Sequence, residues 1–250
     1  MSVDAISTTH GLVGHDDHAH HDPNQAHQFE DMAQQNESYI VGMWSFLVTE
    51  IMFFGVLFIA YSLNRLLHPG SFIDAHRHLN VWFGGINTVI LLTSSLTMAL
   101  AVRAAQLQSK VAQLVFLTIT ILCAFGFLGI KTVEYTHKYH EHLIPGANFH
   151  YVSVGAEGGP SAEAAVNPEK SNIPQGQAQI FFLLYFFMTG LHGIHVVIGI
   201  IAMTTLFIMI KFDHPFTRYY MWVEMAGLYW HFVDIVWIFL FPLFYLIPGK

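Results

Sequence analysis

Five apolar stretches, each long enough to cross a bilayer, constrain this chain more than any other feature. They cover about residues 39–63, 82–102, 111–130, 180–210 and 223–247. A hydrocarbon core about 30 Å thick needs about 20 residues of α-helix at about 1.5 Å each. Five such stretches exceed what one small water-soluble core can bury. The expected fold is an all-α membrane protein, a bundle of five transmembrane helices forming one domain over residues 39–250. The fourth stretch is longer than a perpendicular crossing requires, so it tilts or extends beyond the lipid.

Composition agrees. Of 250 residues, 54% are hydrophobic and 11% charged, against about 25% charged in a soluble domain. Mean hydropathy is +0.46. With 10 basic against 17 acidic residues, the chain lacks the basic face a nucleic-acid partner would need. One cysteine, Cys123, excludes an internal disulfide and a thiolate metal cluster. Residues 1–38 read as a polar, His-rich, flexible tail with no Lys or Arg, and so without the basic start of a secretory or mitochondrial signal. In it, His15, His18, His20 and His21 among aspartates are candidates for a low-affinity copper, zinc or nickel site. A solvated tail is the plainer reading. The link at about 138–179 is rich in Gly, Pro and Ala and is expected to hold little regular structure. Arg103, Lys110, Lys211 and Arg218 fall in two short links on one side, which puts the N-terminus in the cytoplasm.

Charge at mid-membrane costs about 2.5–3.5 kcal/mol on insertion scales, so each ionisable residue in a span demands a role. Glu50 is central in the first span, with Phe46, Leu47, Phe53, Phe54 and Leu57 at helical spacing. That apolar stripe suits a lipid-lined cleft or a subunit seam rather than a water channel. A hydrogen bond to a neighbouring helix is the plainer role. In the last span Glu224, Gly227, His231 and Asp234 follow one stripe, where His231 and Asp234 can pair. His192, His195 and Gly199 share a face of the fourth, and Asn87, Ser94 and Thr97 one side of the second. Such stripes serve helix packing first, with ligand binding or proton transfer as the competing reading. Lys131 and Glu134 read as an ion pair near the membrane interface. A bis-histidine haem would need His231 opposite His192 or His195 at matching depth. No closed zinc spacing, phosphate loop or nucleophilic triad occurs, so no catalytic centre and no cofactor is expected on this chain.

Three strings carry a resemblance. Tyr-Trp-His-Phe-Val-Asp-Ile-Val-Trp-Ile-Phe-Leu at 229–240 closely resembles the final helix of subunit III of the haem-copper oxidases. Thr-Gly-Leu-His-Gly-Ile-His-Val-Val-Ile-Gly at 189–199 is similar to that family's penultimate helix. Met-Trp-Ser-Phe-Leu-Val-Thr-Glu-Ile-Met-Phe-Phe at 43–54 resembles the helix bearing its carbodiimide-reactive glutamate, which falls on Glu50. Residues 87–97, Glu134 with Tyr135, and Glu224 also fit, and the match runs in order over about 39–250.

The resemblance implies a non-catalytic subunit of an aerobic respiratory terminal oxidase, with cytochrome c as the leading electron donor. Quinol oxidases and nitric-oxide-reductase-linked homologues are the alternatives. Haems and copper would lie in subunits I and II, which reduce dioxygen and pump protons. Subunit I would be the main contact, with subunit II, small or supercomplex subunits and phospholipid as further partners in a bacterial cytoplasmic membrane. Glu50 would be the cleft carboxyl that supports proton uptake, and His231 with Asp234 a structural polar pair. The chain departs from the family in three places. It matches five of the long form's seven helices, so either another subunit supplies the missing wall of the cleft or the lipid role is altered. Lys131 stands where Gln is common, and the 138–179 link is long. Two other classes remain, a membrane electron carrier with haem on these histidines and a transporter. The apolar stripe at Glu50 and the unbroken spans argue against the transporter.

Overall fold

The computed structural model describes residues 28–29, 31–141, 143–146, 149, 151, 174–214 and 220–247. Among them are six α-helices: α1 (Met32–Leu67), α2 (Pro69–Ala75), α3 (Val81–Gln106), α4 (Lys110–His140), α5 (Gln175–Lys211) and α6 (Met221–Tyr245). A 3-10 turn, His76–His78, follows α2. All but α2 are long and apolar enough to cross a membrane, and the chain is an all-α, multi-pass membrane protein. His15, His18, His20 and His21 lie outside the described residues, as do residues 152–173 of the long link.

The helices outrun the apolar stretches. Residues 32–38, expected in the tail, belong to α1, because Asp31 caps it with a side-chain oxygen 2.7 Å from the Gln34 N–H. Asn80 caps α3 in the same way through the Trp82 N–H at 3.0 Å. The 138–179 link shrinks from both ends, since α4 continues to His140 and α5 starts at Gln175.

Helix α2 had no expectation behind it. Pro69 opens its first turn, where a missing N–H leaves nothing unpaired. Phe72 is fully buried, edge-on to Tyr61 and Phe181 with ring centroids 5.4 and 5.2 Å away, and so closes the gap between α1 and α5. Tyr151 pins the link to this plug. Its phenol donates to Asp74 at 2.5 Å, and its backbone pairs both ways with the Gln175 side chain at 3.0 and 2.8 Å. Burial, and then the Asp74 carboxylate, pushes the phenol well above its usual range, so it stays a donor.

The four helices α3 to α6 close into a ring. Helices α3 and α5 each pack between α4 and α6, while α1 leans on the outside along the α5–α6 seam. Buried residues recur every three or four positions on the ring helices, as at Gly84, Asn87, Leu91, Ser94 and Met98 of α3. By contrast α1 leaves Val48, Met52, Val56 and Ile59 exposed.

Apolar surface gains little from leaving lipid, so close packing and polar contacts must hold such a bundle. Gly199 shows how tight that packing is. A Cβ there would lie 2.7 Å from the Trp230 ring, whereas one at Gly193 would meet nothing within 4 Å. We expect Gly199→Ala to destabilise the bundle by about 1–3 kcal/mol through overpacking. The readout is the thermal midpoint of the purified protein, with Gly193→Ala as a control that stays close to the parent.

Candidate functional site

Polar groups collect at three places in the bundle. The first surrounds Lys131. Lys131 lies inside the ring, because α4 continues past it and brings it under the helices that carry Tyr185 and Tyr245. Its Nζ donates to Glu134 at 2.9 Å, to the Tyr245 phenol at 2.9 Å and to the Tyr185 phenol at 3.2 Å. Both phenols donate in turn to the other Glu134 oxygen. The ammonium also sits 4.9 Å from the Trp237 ring centroid, within cation–π range. Side-chain exposures of 9% and 3% make this a buried, fully bonded pair.

The second centre is Glu50. Its carboxyl reaches across the seam to His195 of α5, with Oε2 3.2 Å from Nε2. The other ring nitrogen, Nδ1, is 2.8 Å from the Leu191 carbonyl. A carbonyl can only accept, so Nδ1 carries a hydrogen and donates. The bond between Nε2 and Oε2 then needs one proton, held by either the imidazole or the carboxyl. The pair is neutral in both cases, which suits its depth in the bundle. Tyr229 of α6 donates to the His195 carbonyl at 3.0 Å, so three helices fix the site. Beside it Leu47, Ile51 and Phe54 of α1 face Phe232, Ile235 and Phe239 of α6 across an apolar groove of about 440 Å³.

The third set lies deeper, and here two expectations change. His192 and His195 do not face one environment. His192 is buried between the Phe127 and Trp237 rings, at 5.5 and 5.3 Å, while His195 faces the α1 seam. His231 and Asp234 do not bond each other directly either. Ser95 of α3 takes His231 instead, with its hydroxyl 2.7 Å from Nδ1, and Asp234 bonds no protein group among the described residues. Glu224 is half-buried in the first turn of α6. The indole of Trp237 on α6 lies against the His192 ring, with centroids 5.3 Å apart. Among the described residues no group of three or more His, Cys, Asp or Glu is placed to hold a metal ion.

Sequence reasoning found Glu50 and the histidines but missed Ser95, Tyr185, Tyr229 and Tyr245. Only a weak signal marked them, namely a hydroxyl within an apolar helix.

Comparison with known proteins bears on this arrangement directly. The family model for cytochrome c oxidase subunit III matches residues 176–248, the helices that carry His192, His195, His231 and Asp234. The quinol oxidase subunit 3 of Bacillus subtilis (strain 168) is 29% identical, over 92% of this chain and 97% of that protein. The cytochrome c oxidase subunit 3 of Prototheca wickerhamii is 30% identical, over 82% of this chain and 67% of that protein. A third relative, the heme-copper oxidase subunit I+III of Aeropyrum pernix, is 29% identical over 82% of this chain and 22% of its own length. With the Glu50 helix, the paired histidines and the last helix all inside these matches, the chain belongs to the subunit III family of the haem-copper oxidases.

Proposed function

We propose that this chain is the non-catalytic subunit III of an aerobic terminal oxidase, seated against the haem-copper subunit I in a bacterial cytoplasmic membrane. Its N-terminus lies in the cytoplasm, and subunit II completes the core assembly. In this reading the chain stabilises subunit I, holds a phospholipid chain in the α1–α6 groove, and supports proton uptake during electron transfer to dioxygen. The observation that carries it is the contact across the seam, with Glu50 Oε2 3.2 Å from His195 Nε2 beside that groove. An acyl chain in the groove would exclude water from the seam, and a neutral pair there carries no net charge to desolvate. The electron donor is proposed to be cytochrome c.

A quinol donor is the second reading, favoured by the extensive match to the Bacillus subtilis quinol oxidase subunit. Similarity to the two classes differs by one point of identity, 29% against 30%. Assaying the purified complex with each donor separates the two.

Glu50→Ala tests the functional claim. The variant is expected to assemble and to begin turnover near the parent rate, then to lose activity faster over prolonged turnover. Glu50→Gln retains a hydrogen bond to His195 and should fall between the two. Equal loss from the first turnover onward would contradict the proposal.

A further inference from the structure

Three buried side chains in the four-helix ring make no hydrogen bond among the described residues. They are Asn87 on α3, His192 on α5 and Asp234 on α6, and all six of their side-chain nitrogen and oxygen atoms lack a protein partner. Their exposures are 0%, 1% and 3%. Polar groups buried this deeply are almost always bonded, to protein or to ordered water, and leaving them dry is costly.

Contacts between the helices place the three at one depth. Trp237 of α6 donates to Thr88, the residue after Asn87, at 3.1 Å and lies against His192. Trp230 donates to Ser94 at 3.1 Å. Asp234 falls between these two tryptophans on the same buried stripe of α6. Along the bundle axis the three groups therefore lie within about one helical turn of each other. On one side Ser95, next to the Ser94 that Trp230 binds, holds His231, which lines the apolar groove. Toward the other end lies the Lys131–Glu134 pair. Glu134 also borders a polar recess of about 320 Å³ at the end of the bundle, among Asn80, His137 and Glu141.

We propose that Asn87, His192 and Asp234 bind a small cluster of water molecules inside the ring, supplied from this recess past Glu134. The donor set favours water. An amide offers two donors and an acceptor site, and an imidazole offers donor and acceptor, whereas a metal ion would use acceptors alone. A buried water makes about three hydrogen bonds to groups that lack protein partners. The cluster bonds Asn87 of α3, His192 of α5 and Asp234 of α6 to one another.

The test uses the intact oxidase. A map that resolves ordered water should show density within hydrogen-bonding distance of at least two of the three side chains. Continuous apolar packing with no such density would overturn the proposal, as would a single density that tracks the sodium concentration. Asn87→Leu gives an independent readout. Loss of a water ligand should lower the thermal midpoint of the complex. A rise would mean that the amide was buried dry and that its apolar replacement relieved it.

Discussion

Lys131→Met is expected to leave little of this chain in the purified oxidase, and adding Glu134→Gln is expected to restore most of it. The single substitution strands Glu134 inside the ring. Two phenols still donate to its carboxylate, but the cation that balanced it is gone. Breaking a buried pair from one side costs about 3–5 kcal/mol, because an uncompensated charge remains in a medium that solvates it poorly. Removing both charges avoids that penalty, since replacing a buried pair with neutral groups of similar volume is often neutral or stabilising. The check is a double-mutant cycle on the thermal midpoint and on the amount of chain recovered with its partners. Additive losses would show that the two residues are not coupled.

Trp237→Ala is the second large expected effect. The indole is fully buried, lies edge-on to Phe127 at 4.9 Å, stacks obliquely on His192, faces the Lys131 ammonium and donates to Thr88. Truncation removes a fully buried indole packed between Phe127 and His192, and large-to-small changes of this kind cost about 3–5 kcal/mol. Trp237→Phe keeps most of the bulk and loses mainly one hydrogen bond, worth about 0.5–1.5 kcal/mol. The midpoint should therefore fall steeply for Ala and slightly for Phe. Equal falls would place the value of Trp237 in its N–H rather than in its volume.

The five spans were legible because an apolar run of helical length has few alternatives in a chain this poor in charge. Helix α2 was not, since its seven residues begin with Pro-Gly-Ser and read as a link until Phe72 is seen among Tyr61 and Phe181. Glu50 could be found from its unusual setting, yet its partner could not. His195 is 145 positions away, and spacing within one helix does not say which face of another it meets. The two histidines of α5 show a related limit. Three residues turn a helix about 60° short of a full circle, enough to send His192 into the ring and His195 to the seam. For Lys131 and Glu134 the spacing gave the pair correctly. What the spacing could not give was the burial of the pair inside the ring, since the apolar run ends at residue 130 while α4 continues to His140. His231 and Asp234 were placed on the right stripe, and only the opposing helix could supply the Ser95 that binds His231 in place of Asp234.

The central claim is that this chain supports a redox enzyme without holding a redox centre itself. Its most direct test is to tag the chain, purify it from native membranes in mild detergent, strip it from its partners and follow the haem absorbance. The account predicts that haem leaves with a larger helical subunit and that the stripped chain is colourless. Haem remaining on this chain would contradict it, and would make His192, His195 and His231 the first residues to replace.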